Sequence, residues 1–195
     1  MNLPNKISIV RICMIPVFVL FFYLDFPYHH AVAAAVFALA AFTDALDGYI
    51  ARSRNLVTNL GKFLDPIADK VLVATAFILL VTEHKIFGTF GNWAYITGAI
   101  CICVILAREL IISAFRQIAA TAGIVLAAEK LGKYKTVFQD VCVVVLLVSA
   151  DLTGTALKIC NGIGLGLFAV AAVLTLVSGV SYVVKNKQVL KDTAN

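Results

Sequence analysis

Asp44, Asp47, Asp65 and Asp69 place four carboxylates within 26 residues of a very apolar chain. The whole chain has 11 Asp and Glu, so more than a third of its acids stand here. In a helix, Asp44 and Asp47 are i and i+3, and Asp65 and Asp69 are i and i+4, so each pair shares one face. Both pairs border hydrophobic runs, where ionisable groups are expensive and mark function by default. Gathered carboxylates raise one another's pKa unless cations neutralise them. Oxygen-only donors suit a hard divalent ion, Mg²⁺ or Mn²⁺. Two such ions side by side are machinery for moving a phosphoryl group. A single acid at the end of a membrane helix also serves as a cap or an ion-pair partner, and Asp65-Pro66 and Asp69-Lys70 admit that role. Four acids at these spacings, with Gly48 and Gly61 beside them, favour a shared site. Glycine on such faces lets two helices approach closely enough to share metals.

The elements that must position these acids are membrane helices. The chain of 195 residues is 62% hydrophobic, with a mean hydropathy of +0.97, far above a soluble domain. The expected fold is all-α: six transmembrane helices preceded by a short amphipathic segment at Asn2–Lys6. A span needs about 20 apolar residues. The expected spans are Ile7–Tyr23, His30–Tyr49, Leu60–Val81, Trp93–Ala114, Thr136–Ala150 and Leu157–Val184. The first Asp pair closes the second span and the second pair opens the third. The run from Ile7 lacks a small-residue cleavage site and contains Arg11, so it reads as a retained span rather than a secretory signal. No linker, low-complexity stretch or clear repeat divides residues 1–195, which read as a single domain.

Net charge is +5. In a membrane chain this reflects the positive-inside rule and anionic lipids, not nucleic acid. One side of the expected bundle receives Arg52, Arg54, Lys62, Lys70, Arg108, Arg116, Lys130, Lys133, Lys135 and the basic residues of both termini; the other receives only Lys85 and Lys158. Both termini and the Asp cluster are therefore expected on the cytoplasmic side of the cell membrane. Cys13, Cys101, Cys103, Cys142 and Cys160 lie in apolar runs without a C-x-x-C pair and read as small buried hydrophobes. His29, His30 and His84 have no Cys or acid at ligand spacing and read as loop residues at the membrane interface. Gly162-x-Gly164-x-Gly166 lacks the strand and full fingerprint of a phosphate loop. Gly162 and Gly166 form G-x-x-x-G, a common and weak pattern of helix packing or dimer contact.

The stretch Asp44-x-x-Asp47-Gly48-x-x-Ala51-Arg52, eight further residues, then Gly61-x-x-x-Asp65-x-x-x-Asp69 resembles the signature of the CDP-alcohol phosphotransferase family at every fixed position. The resemblance implies the six-span fold across the whole chain and an enzyme that transfers the phosphoryl-linked half of a CDP-alcohol to a hydroxyl, releasing CMP. It makes Asp44, Asp47, Asp65 and Asp69 ligands of two divalent ions and Asp69 the general base. It places Asp47, Gly48, Ala51, Arg52 and Gly61 at the CDP group. A guanidinium suits phosphate there, and the small residues let the nucleotide approach the backbone. It also implies a homodimer.

The acceptor is read from charge. Arg108 and Arg116 are eight apart, near two helical turns, so both can face one cavity. Lys133 and Lys135 stand just before the fifth span. Four such cations suit a dianionic phosphate, which fits glycerol 3-phosphate as acceptor and CDP-diacylglycerol as donor. They also fit topology and lipid headgroups. The opening Met1–Ile7 and the segments Gly61–Lys70, Ala107-Arg108-Glu109 and Gly132–Thr136 resemble the glycerol 3-phosphate-using members of the family. Sibling acceptors are inositol phosphate, serine and phosphatidylglycerol. A divalent-ion transporter is a different class, but it would favour acids near mid-bilayer and would not need Arg52 at its helical offset.

Overall fold

The computed structural model describes the backbone of residues 3–53, 59–121 and 130–186, and the side chains of 7–43, 67–119 and 131–186. Among these residues the chain is helical throughout, without strands: α1 (Leu3–Tyr23), α2 (His29–Ser53), α3 (Asn59–Thr82), α4 (His84–Phe87), α5 (Asn92–Thr121), α6 (Lys130–Ala150) and α7 (Gly154–Lys185). One 3-10 turn, Gly88–Phe90, follows α4.

The breaks have local causes. Pro27 has no N–H and disfavours a helical residue before it, and the next residue, Tyr28, takes a φ of 64°. At Glu83 the helical path stops, and its side chain accepts from the Lys85 amide to start α4. Gly91 has a φ of 99°, which glycine tolerates without strain, and α5 begins after it.

α6 packs most extensively on α7, while α1 lies against α2 and α3. α2 also meets α6, and α5 joins the bundle through α7 and α3. The interior is built from Phe18, Phe37, Leu72, Phe77, Leu80, Leu146, Leu147 and Phe168. The exterior is apolar as well, with Leu20, Phe42, Trp93 and Val180 exposed. Helices that are apolar inside and outside fit a membrane protein.

Six of the helices coincide with the six expected runs. By length and composition α5 and α7 can each cross a bilayer alone, and α3 with α4 makes a third candidate bent by 70°. That bend is absent from the sequence reading. It folds α4 back so that Ile86 and Phe87 are buried, with Phe87 lying over Gly98, where a Cβ would meet its ring at 2.2 Å. The expected N-terminal segment lies at the start of α1, and its side chains are outside the described residues.

Within the chain, the G-x-x-x-G pair is not where the helices come closest. Gly164 is the glycine that lets α7 close on α6, since a Cβ there would stand 2.5 Å from Leu146 Cδ2. Nothing lies within 4 Å of the equivalent point at Gly166, and only Phe90 touches it at Gly162, at 3.9 Å. All five cysteines are free, and Cys13 and Cys103 are exposed rather than buried. In a lipid-facing position a thiol meets hydrocarbon, so exposure and apolar character agree.

Candidate active site

Helix register places the four Asp residues. Asp47 lies six residues before the end of α2 and Asp65 six residues after the start of α3; Asp44 and Asp69 lie nine and ten residues from the same ends. With a rise of about 1.5 Å per residue, Asp47 and Asp65 each stand about 9 Å, and Asp44 and Asp69 about 14–15 Å, from the ends of two helices that touch. Gly48, Ala51 and Arg52 follow on the last turns of α2, and Gly61 opens α3. The side chains of Asp44, Asp47, Gly48, Ala51, Arg52, Gly61 and Asp65 lie outside the described residues.

Asp69 is described, and it borders a cavity of about 220 Å³ between α3, α5, α6 and α7. The same cavity is lined by Arg108 and Arg116 of α5 and by Lys133 and Lys135 of α6. Lys70 adds a fifth cation, against the acids Asp69 and Glu109. The four residues singled out as a phosphate pocket thus come together beside the last acid of the Asp set. α5 does this through its eight-residue spacing; α6 does it by beginning at Lys130, which carries Lys133 and Lys135 in its first two turns.

Three of the cations, Arg108, Arg116 and Lys135, are held by partners that no sequence spacing assigns. Glu109 Oε1 accepts from Lys135 Nζ and, at 3.3 Å, from Arg108 Nη1. Arg108 Nη2 donates to Ser178 Oγ at 2.9 Å. Arg116 Nε donates to the Tyr182 hydroxyl at 3.0 Å, and its guanidinium carbon lies 5.0 Å from the centre of the Tyr182 ring, within cation–π range. Lys135 is buried just ahead of the Thr136–Ala150 run. Burial pushes its ammonium below the ordinary lysine value, with Glu109 pulling it back up. Against the carboxylates of Asp69 and Glu109 the five cations leave the pocket an excess of positive charge, which suits an anion with more than one negative charge.

One signal in the sequence pointed to these partners. Thr175, Ser178 and Tyr182 recur at i, i+3 and i+7 in a mostly apolar helix, and all three are buried. A polar stripe turned inward in a membrane helix must be satisfied by other helices.

The model of the CDP-alcohol phosphatidyltransferase family matches residues 1–187. The chain belongs to that family, whose members generally use divalent metal ions. It is 42% identical to a CDP-diacylglycerol–glycerol-3-phosphate 3-phosphatidyltransferase of Sodalis glossinidius, with 93% of each chain covered. It is 39% identical to the protein of that name from Bacillus subtilis, with 97% of each covered. A Rickettsia bellii protein of the same name is 37% identical, again with 93% of each covered.

Proposed function

We propose that this chain transfers the phosphatidyl group of CDP-diacylglycerol to glycerol 3-phosphate, giving phosphatidylglycerophosphate and CMP. The observation that carries the reading is the cavity in which Asp69 adjoins Arg108, Arg116, Lys133 and Lys135. A base stands beside a receptor for a dianion, as an acceptor bearing both a hydroxyl and a phosphate requires. Similarity over nearly the full length to relatives named for this reaction supports it.

Two divalent ions, Mg²⁺ or Mn²⁺, fit the donor set: four carboxylates at similar residue distances from the ends of two touching helices. Asp44, Asp47, Asp65 and Asp69 would hold them, and the ions would neutralise the pyrophosphate and the departing CMP. Arg52 and the small positions Gly48, Ala51 and Gly61, with Asp47, would receive the CDP group. Asp69 takes the proton of the acceptor hydroxyl. The freed oxygen bonds to the phosphorus carrying diacylglycerol as the bond from that phosphorus to CMP breaks. The α5 and α6 cations hold the acceptor phosphate, which keeps the hydroxyl near Asp69.

In this reading residues 1–195 form one integral-membrane domain with six spans and an amphipathic start. The site and both termini face the cytoplasm, and two copies pair as a homodimer. The lopsided distribution of Lys and Arg supports the orientation. The test is CMP release by purified protein from CDP-diacylglycerol with glycerol 3-phosphate, inositol phosphate, serine, phosphatidylglycerol and plain glycerol. Preference for a sibling acceptor overturns the assignment.

A further inference from the structure

Glycerol 3-phosphate carries a phosphate and two hydroxyls. The α5 and α6 cations take the phosphate and Asp69 takes the attacking hydroxyl. The hydroxyl on the central carbon needs a partner as well, because a polar group enclosed without one costs binding free energy.

Glu109, Ile112, Ser113 and Arg116 recur at i, i+3, i+4 and i+7, one face of α5, and all four line the cavity. A smaller compartment of about 130 Å³ adjoins it between α3, α5 and α6. Asp69, Lys70, Glu109, Lys135 and Thr136 border both spaces. The further walls of the smaller one are mostly apolar: Val73, Ala74, Leu106 and Leu110, with Gln139. Glu109 thus stands with Asp69 where a polar receptor passes into an apolar recess.

The Glu109 carboxylate is divided in use. Oε1 accepts from Lys135 Nζ and from Arg108 Nη1. Oε2 accepts from no group among the described residues, and it is not sealed from the cavity. The side chain is 17% exposed. Two cations, one from each of two helices, therefore fix the group while one oxygen stays open. A carboxylate oxygen only accepts. A phosphate is repelled there, and a metal ion meets Lys135 and Arg108 beside it. A hydroxyl, which donates one hydrogen, is the complement. The nearby hydroxyls of the protein are committed elsewhere: Thr136 donates to the Gly132 carbonyl and Ser178 to that of Thr175.

We propose, on the reading of the site given above, that Glu109 determines acceptor specificity: its Oε2 accepts a hydrogen bond from the central hydroxyl of glycerol 3-phosphate. Oε1 keeps Lys135 and Arg108 at the phosphate, and Oε2 reads the carbon next to the attacking hydroxyl. Phosphate, attacking hydroxyl and central hydroxyl lie on three different substituents of one carbon, so holding all three fixes its hand. An acceptor that lacks the central hydroxyl leaves Oε2 unpaired and is disfavoured for that reason.

The test is CMP release by purified full-length protein from CDP-diacylglycerol and each of three acceptors. These are glycerol 3-phosphate, its mirror image, and 3-hydroxypropyl phosphate, which lacks only the central hydroxyl. The unmodified protein is expected to favour glycerol 3-phosphate over 3-hydroxypropyl phosphate by about ten- to hundred-fold in kcat/KM, the range of a hydrogen bond to a charged group. Glu109→Ala should bring that ratio close to unity and erase the preference between the mirror images. Arg116, held by Tyr182, supplies the control. Arg116→Ala should slow both phosphate acceptors and leave their ratio unchanged, because the phosphate is common to them. Should Glu109→Ala fail to fold, the isosteric Glu109→Gln replaces it. That variant is expected to lower the ratio about fivefold, as a charged acceptor becomes neutral. A ratio that ignores the Glu109 substitution overturns the proposal and leaves Glu109 as a holder of two cations. So does an unmodified protein that uses both phosphate acceptors equally well. Failure to use glycerol 3-phosphate at all overturns the reading of the site, and this inference with it.

Discussion

A Cβ on Gly179 would stand 2.8 Å from Arg108 Nε and 3.0 Å from Arg108 Cγ, so the α5 arginine occupies the space that α7 leaves open. The neighbouring Ser178 then receives its guanidinium. Gly179→Ala is expected to push Arg108 out of the cavity and raise the KM for glycerol 3-phosphate about tenfold, consistent with losing one charge-assisted contact of roughly 1.5–3 kcal/mol. The KM for CDP-diacylglycerol should change less than threefold. Equal effects on both substrates would show that Arg108 does not serve the acceptor.

Arg116 and Tyr182 separate charge from positioning. Arg116→Ala removes the cation and should raise the acceptor KM about ten- to hundred-fold, from the same range. Tyr182→Phe keeps the ring under the guanidinium and removes only the 3.0 Å bond to Arg116 Nε, so a loss of about fivefold is expected. Steady-state kinetics with each substrate varied in turn would distinguish them, and a Tyr182→Phe loss larger than that of Arg116→Ala would refute the order.

The Asp set is tested by metal and by amide. Activity should vanish in excess chelator and return with Mg²⁺ or Mn²⁺. Asp47→Asn and Asp65→Asn should lose it altogether. Asp69→Asn should lower turnover far more than CDP-diacylglycerol binding, measured by calorimetry in nanodiscs. Near-normal turnover in that variant would assign the base to another group.

Packing between α6 and α7 rests on one glycine. With a Cβ 2.5 Å from Leu146 Cδ2 and 3.3 Å from Val145 Cγ1, Gly164→Ala overpacks the contact and should cost about 1–3 kcal/mol. Gly166→Ala, with open space at that point, should be neutral or slightly stabilising. Thermal unfolding in detergent compares the two.

Orientation is checked by labelling single cysteines in a cysteine-free background. A reagent confined to the outside of intact cells should modify Thr89→Cys and spare Ser53→Cys; the reverse pattern inverts the topology.

The helices were legible because each is an apolar run with a physical stop, such as Pro27 after α1. The α3–α4 bend was not, because Ile86 and Phe87 continue the apolar character and only their burial reveals the turn. In the cavity, Arg108 and Arg116 were legible from helical periodicity. The role of Glu109 was not legible, because its pairing with Lys135 spans 26 residues. His30 was read as an interfacial loop residue, and that reading fails outright. Its carboxylate partner Asp151 lies 121 residues away, and no local spacing records such a distance.

α7 is 32 residues long, or about 48 Å at 1.5 Å per residue, whereas a bilayer's hydrocarbon is about 30 Å thick. Counted from Gly154, about twenty residues consume that thickness by Val173. The buried polar residues Thr175, Ser178 and Tyr182 lie beyond that point. In the proposed orientation, with Gly154 at one edge of the hydrocarbon, the helix would work as a ruler: its first part would span the membrane, and the remainder would carry the partners of Arg108 and Arg116 to the headgroup level. Thicker or thinner lipid would then force α7 to tilt or the bilayer to deform, so the membrane as well as the protein would set the depth at which both arginines are gripped.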